Sequence, residues 1–370
     1  MNKLVSGAAA AALSASVAHA GGIERSTQSV GILFEEGNYA ELSYSTFNPN
    51  VSGVGVDATP PANTGTNFPS GNMSPSYTTV TLAYKQALSD KLDVALILDQ
   101  PIGADINYPG GTSYIASGAT AEIDAMALTA LIRYKLPSNF SVIGGVRALR
   151  TDGVADLPYI PFGYTLSTTS ETDFGYVVGV AWEKPEIAAR VALTYNSSIT
   201  HKFRASEQIG PIPFPTSTLT TEVPQSVNLE FQTGIAADTL LFGSIRWVDW
   251  TAFDISPAIY ANPLLGLGAL VEYDNDVITY NLGIGRRFSD QWSGALLFGY
   301  EKREGIPVGN LGPTDGFRSV GAAVTYTMGS TKITGGVRYV DIGSAVTRGI
   351  NSNFRSNEGW GFGVRVGHAF

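Results

Sequence analysis

The chain has 370 residues, with 42 Gly, 17 Tyr, 17 Phe, 5 Trp and no Cys. Only 15% of its residues are charged, against about 25% in an ordinary soluble protein, while 44% are hydrophobic. The absence of Cys excludes a disulfide scaffold, a thiolate metal site and a Cys nucleophile, and a formal net charge of −9 argues against a nucleic-acid partner.

The chain opens MNKLVSGAAAAALSASVAHA. One Lys, a small-residue apolar stretch and the Ala18-His19-Ala20 ending read as a signal peptide over 1–20. Residues 21–36, GGIERSTQSVGILFEE, follow before the first strand-like stretch. From there no apolar run is long enough for a membrane-spanning helix, which needs about 18 residues.

From Gly37 one unit repeats: a strand-like stretch, a two-residue turn, a second stretch, then a long polar or Gly/Pro loop. Strands are predicted at 37–47, 76–88, 91–101, 119–135, 139–151, 172–183, 186–202, 221–236, 239–252, 275–288, 291–303, 316–328, 331–342 and 358–370. Turns such as Ser89-Asp90 and Gly329-Ser330 alternate with long loops such as 203–220 and 253–274. Within the last strand Trp360, Phe362, Val364 and Val366 alternate with Gly361, Gly363, Arg365 and Gly367. One face is therefore apolar and the other small or polar, as lipid and a lumen require. The predicted fold is all-β: a 14-stranded antiparallel transmembrane barrel over 37–370, with 21–36 as a short N-terminal hatch segment. Closure removes the unpaired backbone edges that lipid would not tolerate.

Chemistry is sparse. His201 and His368 are the histidines beyond residue 20, and neither has an evident catalytic partner; both read as residues of strand ends or interfaces. No Asp-x-Asp-x-Asp-Gly loop marks a calcium site, so Glu35, Glu36, Asp274 and Asp276 read as solvated rim charge. Arg133, Arg147, Arg246, Arg287, Arg338 and Arg365 sit inside strands, where facing lipid at mid-depth would cost about 2–4 kcal/mol; they should point inward or lie at the rim. No metal, cofactor or enzymatic activity is implied.

Three loops are unusually apolar: LPYIPFGY at 157–164, IGPIPFPTSTL at 209–219 and ISPAIYANPLLGLGAL at 255–270. Either they pack over the barrel mouth or they bind something apolar. Tyr159, Ile160, Phe162, Ile212, Phe214, Leu264 and Leu265 are the candidate ligand-binding residues.

Several segments resemble the FadL/TodX family of outer-membrane transporters of long-chain fatty acids and other hydrophobic compounds. They are Gln100-Pro101-Ile102-Gly103 with Tyr108-Pro109; Val223-Pro224-Gln225-Ser226-Val227; Arg246-Trp247-Val248-Asp249-Trp250-Thr251-Ala252-Phe253; and Asn275 to Phe298 with its Ser289-Asp290-Gln291-Trp292 turn. The resemblance implies a monomeric passive channel in the outer membrane, with hydrophobic small molecules and membrane lipids as partners and capture by the third and fourth outer loops. It also implies a lateral opening near Pro101 and Gly103, a hatch carrying Ile23, Ile32, Leu33 and Phe34, and recognition of the last strand, ending in Phe370, by the barrel-assembly machinery. The family's Asn-Pro-Ala hatch segment is absent here, and Ser29–Phe34 stands in its place. A general diffusion porin for small hydrophilic solutes remains the alternative, favoured by so short a hatch.

Overall fold

The computed structural model describes residues 22–55 and 68–370; the predicted signal peptide lies outside the described residues. Fourteen antiparallel strands form the wall: β1 (Tyr39–Asn50), β2 (Tyr77–Ser89), β3 (Leu92–Asp99), β4 (Thr120–Lys135), β5 (Phe140–Leu157), β6 (Glu171–Lys184) and β7 (Ala189–Asn196), then β8 (Ser226–Ala236), β9 (Thr239–Val248), β10 (Val277–Arg287), β11 (Trp292–Glu301), β12 (Phe317–Met328), β13 (Thr331–Ile342) and β14 (Asn357–Ala369). Each pairs with its chain neighbour, and β1 pairs with β14 from Tyr39↔Ala369 to Asn50↔Glu358. The sheet is a closed ring, as the sequence pattern predicts.

The burial pattern is inverted relative to a water-soluble sheet. Along β12, Phe317, Ser319, Gly321, Ala323 and Thr325 are buried, while Val320 and Val324 are exposed. The exposed band carries Leu42, Leu82, Leu96, Leu128, Ile132, Leu282 and Leu296, residues that water would not leave uncovered over so wide a belt. Aromatic pairs mark its two edges: Trp292 with Tyr326 and Tyr84 with Phe370 near the tight turns, Tyr280 with Tyr300 and Tyr339 with Trp360 near the long loops.

β5 runs on to Leu157, past the predicted 151, and β9 stops at Val248, short of 252; three further stretches are broken, each for a local reason. The stretch expected at 186–202 stops at Asn196 and restarts as Ile199–Ile209; the one expected at 221–236 is divided into Ser217–Val223 and β8. At the first break the Ser197 hydroxyl accepts the Tyr176 N–H (2.9 Å) in place of a ladder carbonyl. At the second, Pro224 has no N–H to give the ladder, and the Gln225 side chain instead joins Tyr195 and Asp249. Above the belt, Tyr164–Thr168 pairs with both the end of β5 and Ile199–Ile209, which in turn pairs with Ser217–Val223. The barrel therefore continues outward as a smaller sheet where a loop was expected.

The third break is in the wall itself. β3 ends at Asp99, short of the predicted 101, and the chain resumes as Ala104–Asn107, paired only with β4 among the described residues. The β2–β3 ladder begins at Leu82↔Leu98, while the β1–β2 ladder runs on to Phe47↔Tyr77.

Candidate functional site

The N-terminal residues run through the lumen, tied at each step to an inward-facing strand residue. Ile23–Ser26 lie beside the broken end of β3. The Arg25 N–H donates to the Pro101 carbonyl (2.9 Å), the Gly103 N–H to the Ile23 carbonyl (2.8 Å), and Glu24 bridges Ile102. The Arg25 guanidinium pairs with Asp105 on one side of the break and lies 4.5 Å from the Tyr77 ring centre on the other. Its atoms come within 2.7 Å of where a Cβ on Gly103 would sit, so a larger residue there would displace it.

Farther in, Glu24 holds Arg246, which also donates to Asn228 (2.6 Å) and Ser226 (3.0 Å). Arg147 donates to Gln28 (2.6 Å) and Asn196 (3.1 Å), and Arg133 to the Leu33 carbonyl (3.2 Å). The Phe34 ring lies between Arg133 and Arg190, 4.3 and 4.5 Å from their guanidinium carbons. Val30, Ile32 and Leu33 are buried against Ala83, Ala95, Leu131, Ile143 and Val177. Arg133, Arg147 and Arg246 thus avoid lipid and spend donors on this segment, whereas Arg365 bonds Ser43 and Glu41 of β1 and Arg338 is buried in the wall. Arg287 differs, pairing with Asp238 at a tight turn.

Over the mouth the apolar loops pack on one another. Ile160 is buried and Tyr159 is half-buried against the same cluster, which also contains Tyr164, Leu166, Phe203, Leu219 and Tyr260. Glu207 is its polar anchor: it accepts the Tyr164 hydroxyl (2.9 Å) and the N–H groups of Ile259 (3.0 Å) and Tyr260 (3.1 Å), fastening 255–270 onto the outer sheet. Phe162, Ile212, Leu264 and Leu265 instead point outward; Phe162 is 87% and Leu264 94% exposed. Phe162 also holds φ +70°, a costly conformation for an aromatic residue. Phe162 and Ile212 stand at adjoining hairpin tips, where the Gly210 N–H donates to the Gly163 carbonyl (2.9 Å) and Ile209 pairs with both Tyr164 and Ile212. Phe214, half-buried, follows in the second hairpin.

Beneath this cap lies an apolar chamber of about 630 Å³, bounded by Ile102, Ile123, Phe203, Val223, Phe253 and Leu270. A second cavity of about 1000 Å³ shares Ile123, Leu270 and Leu311 with it and extends to Ile23 and Ala104 beside the wall break. A third, about 1140 Å³ and more polar, follows the N-terminal segment past Arg25, Arg147 and Arg365. None of the six bounding residues of the chamber was a sequence candidate for binding ligand. The usable signal was the alternation of Ile199, His201, Phe203, Ala205 and Glu207 with Thr200, Lys202, Arg204, Ser206 and Gln208: a strand with a charged outer face, hence one standing in water above the belt.

His201 corrects the expectation of an ordinary strand-end residue. It is fully buried, its Nδ1 lies 2.8 Å from Asp173 Oδ2, and its ring stacks on Phe203. Burial holds the imidazole below its ordinary pKa despite Asp173 and Glu171 nearby. His368 does sit at the turn-side rim, exposed and bonded to Thr331.

No family model matches the chain, and no curated protein is similar to it in sequence. Solved structures do share its architecture. A FadL homologue from Pseudomonas aeruginosa superposes with a TM-score of 0.73 at 13% identity, covering 92% of each chain. The toluene transporter TodX of Pseudomonas putida gives 0.62 at 12%, over 95% of this chain and 98% of that one. The toluene transporter TbuX of Ralstonia pickettii gives 0.60 at 12%, over 91% and 90%. At such identities the likeness speaks for architecture, and the architecture is the outer-membrane β-barrel of FadL- and TodX-type channels.

Proposed function

We propose that this protein is a passive outer-membrane channel that admits hydrophobic molecules, long-chain fatty acids or smaller apolar compounds, from outside. The observation that carries this reading is an apolar chamber inside the barrel, roofed by greasy loops and reaching, through Ile102, the stretch where the wall ladder is broken. A molecule leaving water for that chamber gains about 0.8 kcal/mol for each methylene it buries. Phe162, Ile212, Phe214, Leu264 and Leu265 would make the first contact. Release would run sideways at Pro101–Gly103, where the β2–β3 ladder stops at Leu82↔Leu98 and the chain leaves the wall to meet Ile23–Arg25. Residues 22–36 would act as the hatch, and their occupation of the lumen weighs against an open diffusion pore. In the same reading residues 1–20 direct export, and the assembly machinery engages β14 and Phe370. That the solved neighbours include transporters of toluene supports a hydrophobic cargo.

The test is uptake of radiolabelled hydrophobic compounds, fatty acids and monoaromatics in parallel, by cells with the gene deleted and complemented. Phe162→Ala combined with Phe214→Ala is expected to reduce uptake several-fold at low external concentration. Equal uptake by deleted and complemented cells would remove the transport reading.

A further inference from the structure

The chamber beneath the loop cap carries two polar atoms for which the described residues provide no partner. His201 Nε2 and Thr151 Oγ1 are both buried without a hydrogen bond, and both residues line the same cavity of about 630 Å³. The other hydroxyls there are occupied: Thr221 donates to the Asp254 carbonyl (2.9 Å), and Thr168 bonds with Gly153 (2.9 Å). An unpaired polar group in an apolar site is costly, and two on one cavity form a small polar locus in a greasy wall.

The roles of the two atoms follow from their neighbours. Asp173 accepts from Nδ1 at 2.8 Å, which puts the ring hydrogen there and leaves Nε2 a bare acceptor. Thr151 Oγ1 can both donate and accept. A hydroxyl brought into the chamber could give its hydrogen to Nε2 or accept that of Thr151. An anion would fit poorly. Glu122 and Asp152 line the cavity, Asp173 and Glu171 adjoin the imidazole, and no Lys or Arg lines it among the described residues.

We infer that the chamber is a binding site for neutral apolar molecules bearing one hydroxyl group, such as alcohols, phenols or un-ionised acids, with His201 and Thr151 as its specificity residues. The inference rests on the transport reading and narrows it: plain hydrocarbons fill the chamber but leave both atoms unpaired, while carboxylate anions meet like charge.

The experiment is equilibrium dialysis of the full-length barrel in lipid nanodiscs, with empty nanodiscs subtracted. The probes are 4-methylphenol, the near-isosteric 1,4-dimethylbenzene, and 4-methylbenzoate at pH 8. Wild type should bind the phenol about tenfold more tightly than the hydrocarbon, as one or two hydrogen bonds to buried partners warrant, and the anion more weakly than either. Thr151→Val, close to isosteric and so safe for folding, and His201→Phe should each bring the phenol-to-hydrocarbon ratio toward one. His201→Gln, which restores an acceptor, should recover part of it. Equal affinity for phenol and hydrocarbon in wild type, or a ratio unmoved by either substitution, would overturn the hydroxyl site while leaving an apolar channel standing. Binding of neither probe would overturn the site, and absence of uptake of any labelled compound would overturn the transport reading as well.

Discussion

His201 shows how one residue acquires a property its neighbours in sequence do not announce. Fully buried beside Phe203, it titrates below the ordinary value because burial penalises the charged ring more than Asp173 and Glu171 favour it. The unfolded chain takes up this proton near pH 6.5 and the folded chain only at lower pH. Stability at this site is therefore fully present above that range and falls as pH drops through it. Wild type should lose stability relative to His201→Phe between pH 7 and pH 5, with the acid side of the interval set by the depressed folded value. Urea titrations at a series of pH values check this; parallel curves would contradict it. The charges that surround the ring, Asp173, Glu171, Asp152 and Glu122, are common to both proteins and largely cancel in the comparison. From the sequence His201 was legible as a lone histidine and no more. Its partner Asp173 lies 28 residues away on another strand, and Glu207, the anchor of the loop cap, fell within a stretch read as loop.

Among the elements, regular strands were readable and their interruptions were not. Alternation is local, so β10 through β14 match the predicted spans to within two residues. A break depends on what stands opposite: Ser197 ends its ladder by bonding across to Tyr176, and β3 stops because the chain at Pro101–Gly103 pairs with Ile23–Arg25 inside. That inner pairing should be held by Arg25, which grips Asp105 and Tyr77 from opposite sides of the break. Removing the guanidinium in Arg25→Ala is expected to speed hydrogen exchange at the amides of residue 25 and Gly103 about tenfold, the effect of about 1.4 kcal/mol. Gly103→Ala should act in the same direction by pushing Arg25 aside. Unchanged exchange in both variants would show that the backbone bonds alone hold the segment.

At the scale of the whole molecule, the low charge and high Gly and aromatic content resolve into an apolar outer belt and a crowded lumen. Inward-facing Gly359 and Gly367 lie beneath the rings of Phe47 and Tyr39, where no Cβ would fit. Fold class was legible because turn-and-loop alternation is written along the chain. The filling of the lumen was not, because the contacts of residues 22–36 reach as far as Arg246 and Lys332. Since that segment occupies the interior, its deletion over 22–34 should raise single-channel ion conductance in planar bilayers above the wild-type level. The ring of ladders is retained in the deletion, so the protein should still insert. Unaltered conductance would locate the seal in the loop cap instead.

Ring closure also bears on how the molecule is assembled. The seam joins the first and last strands, with the Phe370 N–H donating to the Asn38 carbonyl and β14 aligned on β1. Glu24 meets Arg246 across 222 positions of sequence, inside a wall that has no gap once the seam is made except at β3. Seating the first residues is a step separate from pairing the strands, and it is least obstructed while β1 and β14 are still apart and the nascent sheet is an open trough. Such distant contacts form slowly, and the arginines awaiting them are charges facing an empty interior. The N-terminal segment is thus a tenon to the wall's mortise: strands that pair without seating it leave Arg133, Arg147 and Arg246 without the partners it supplies.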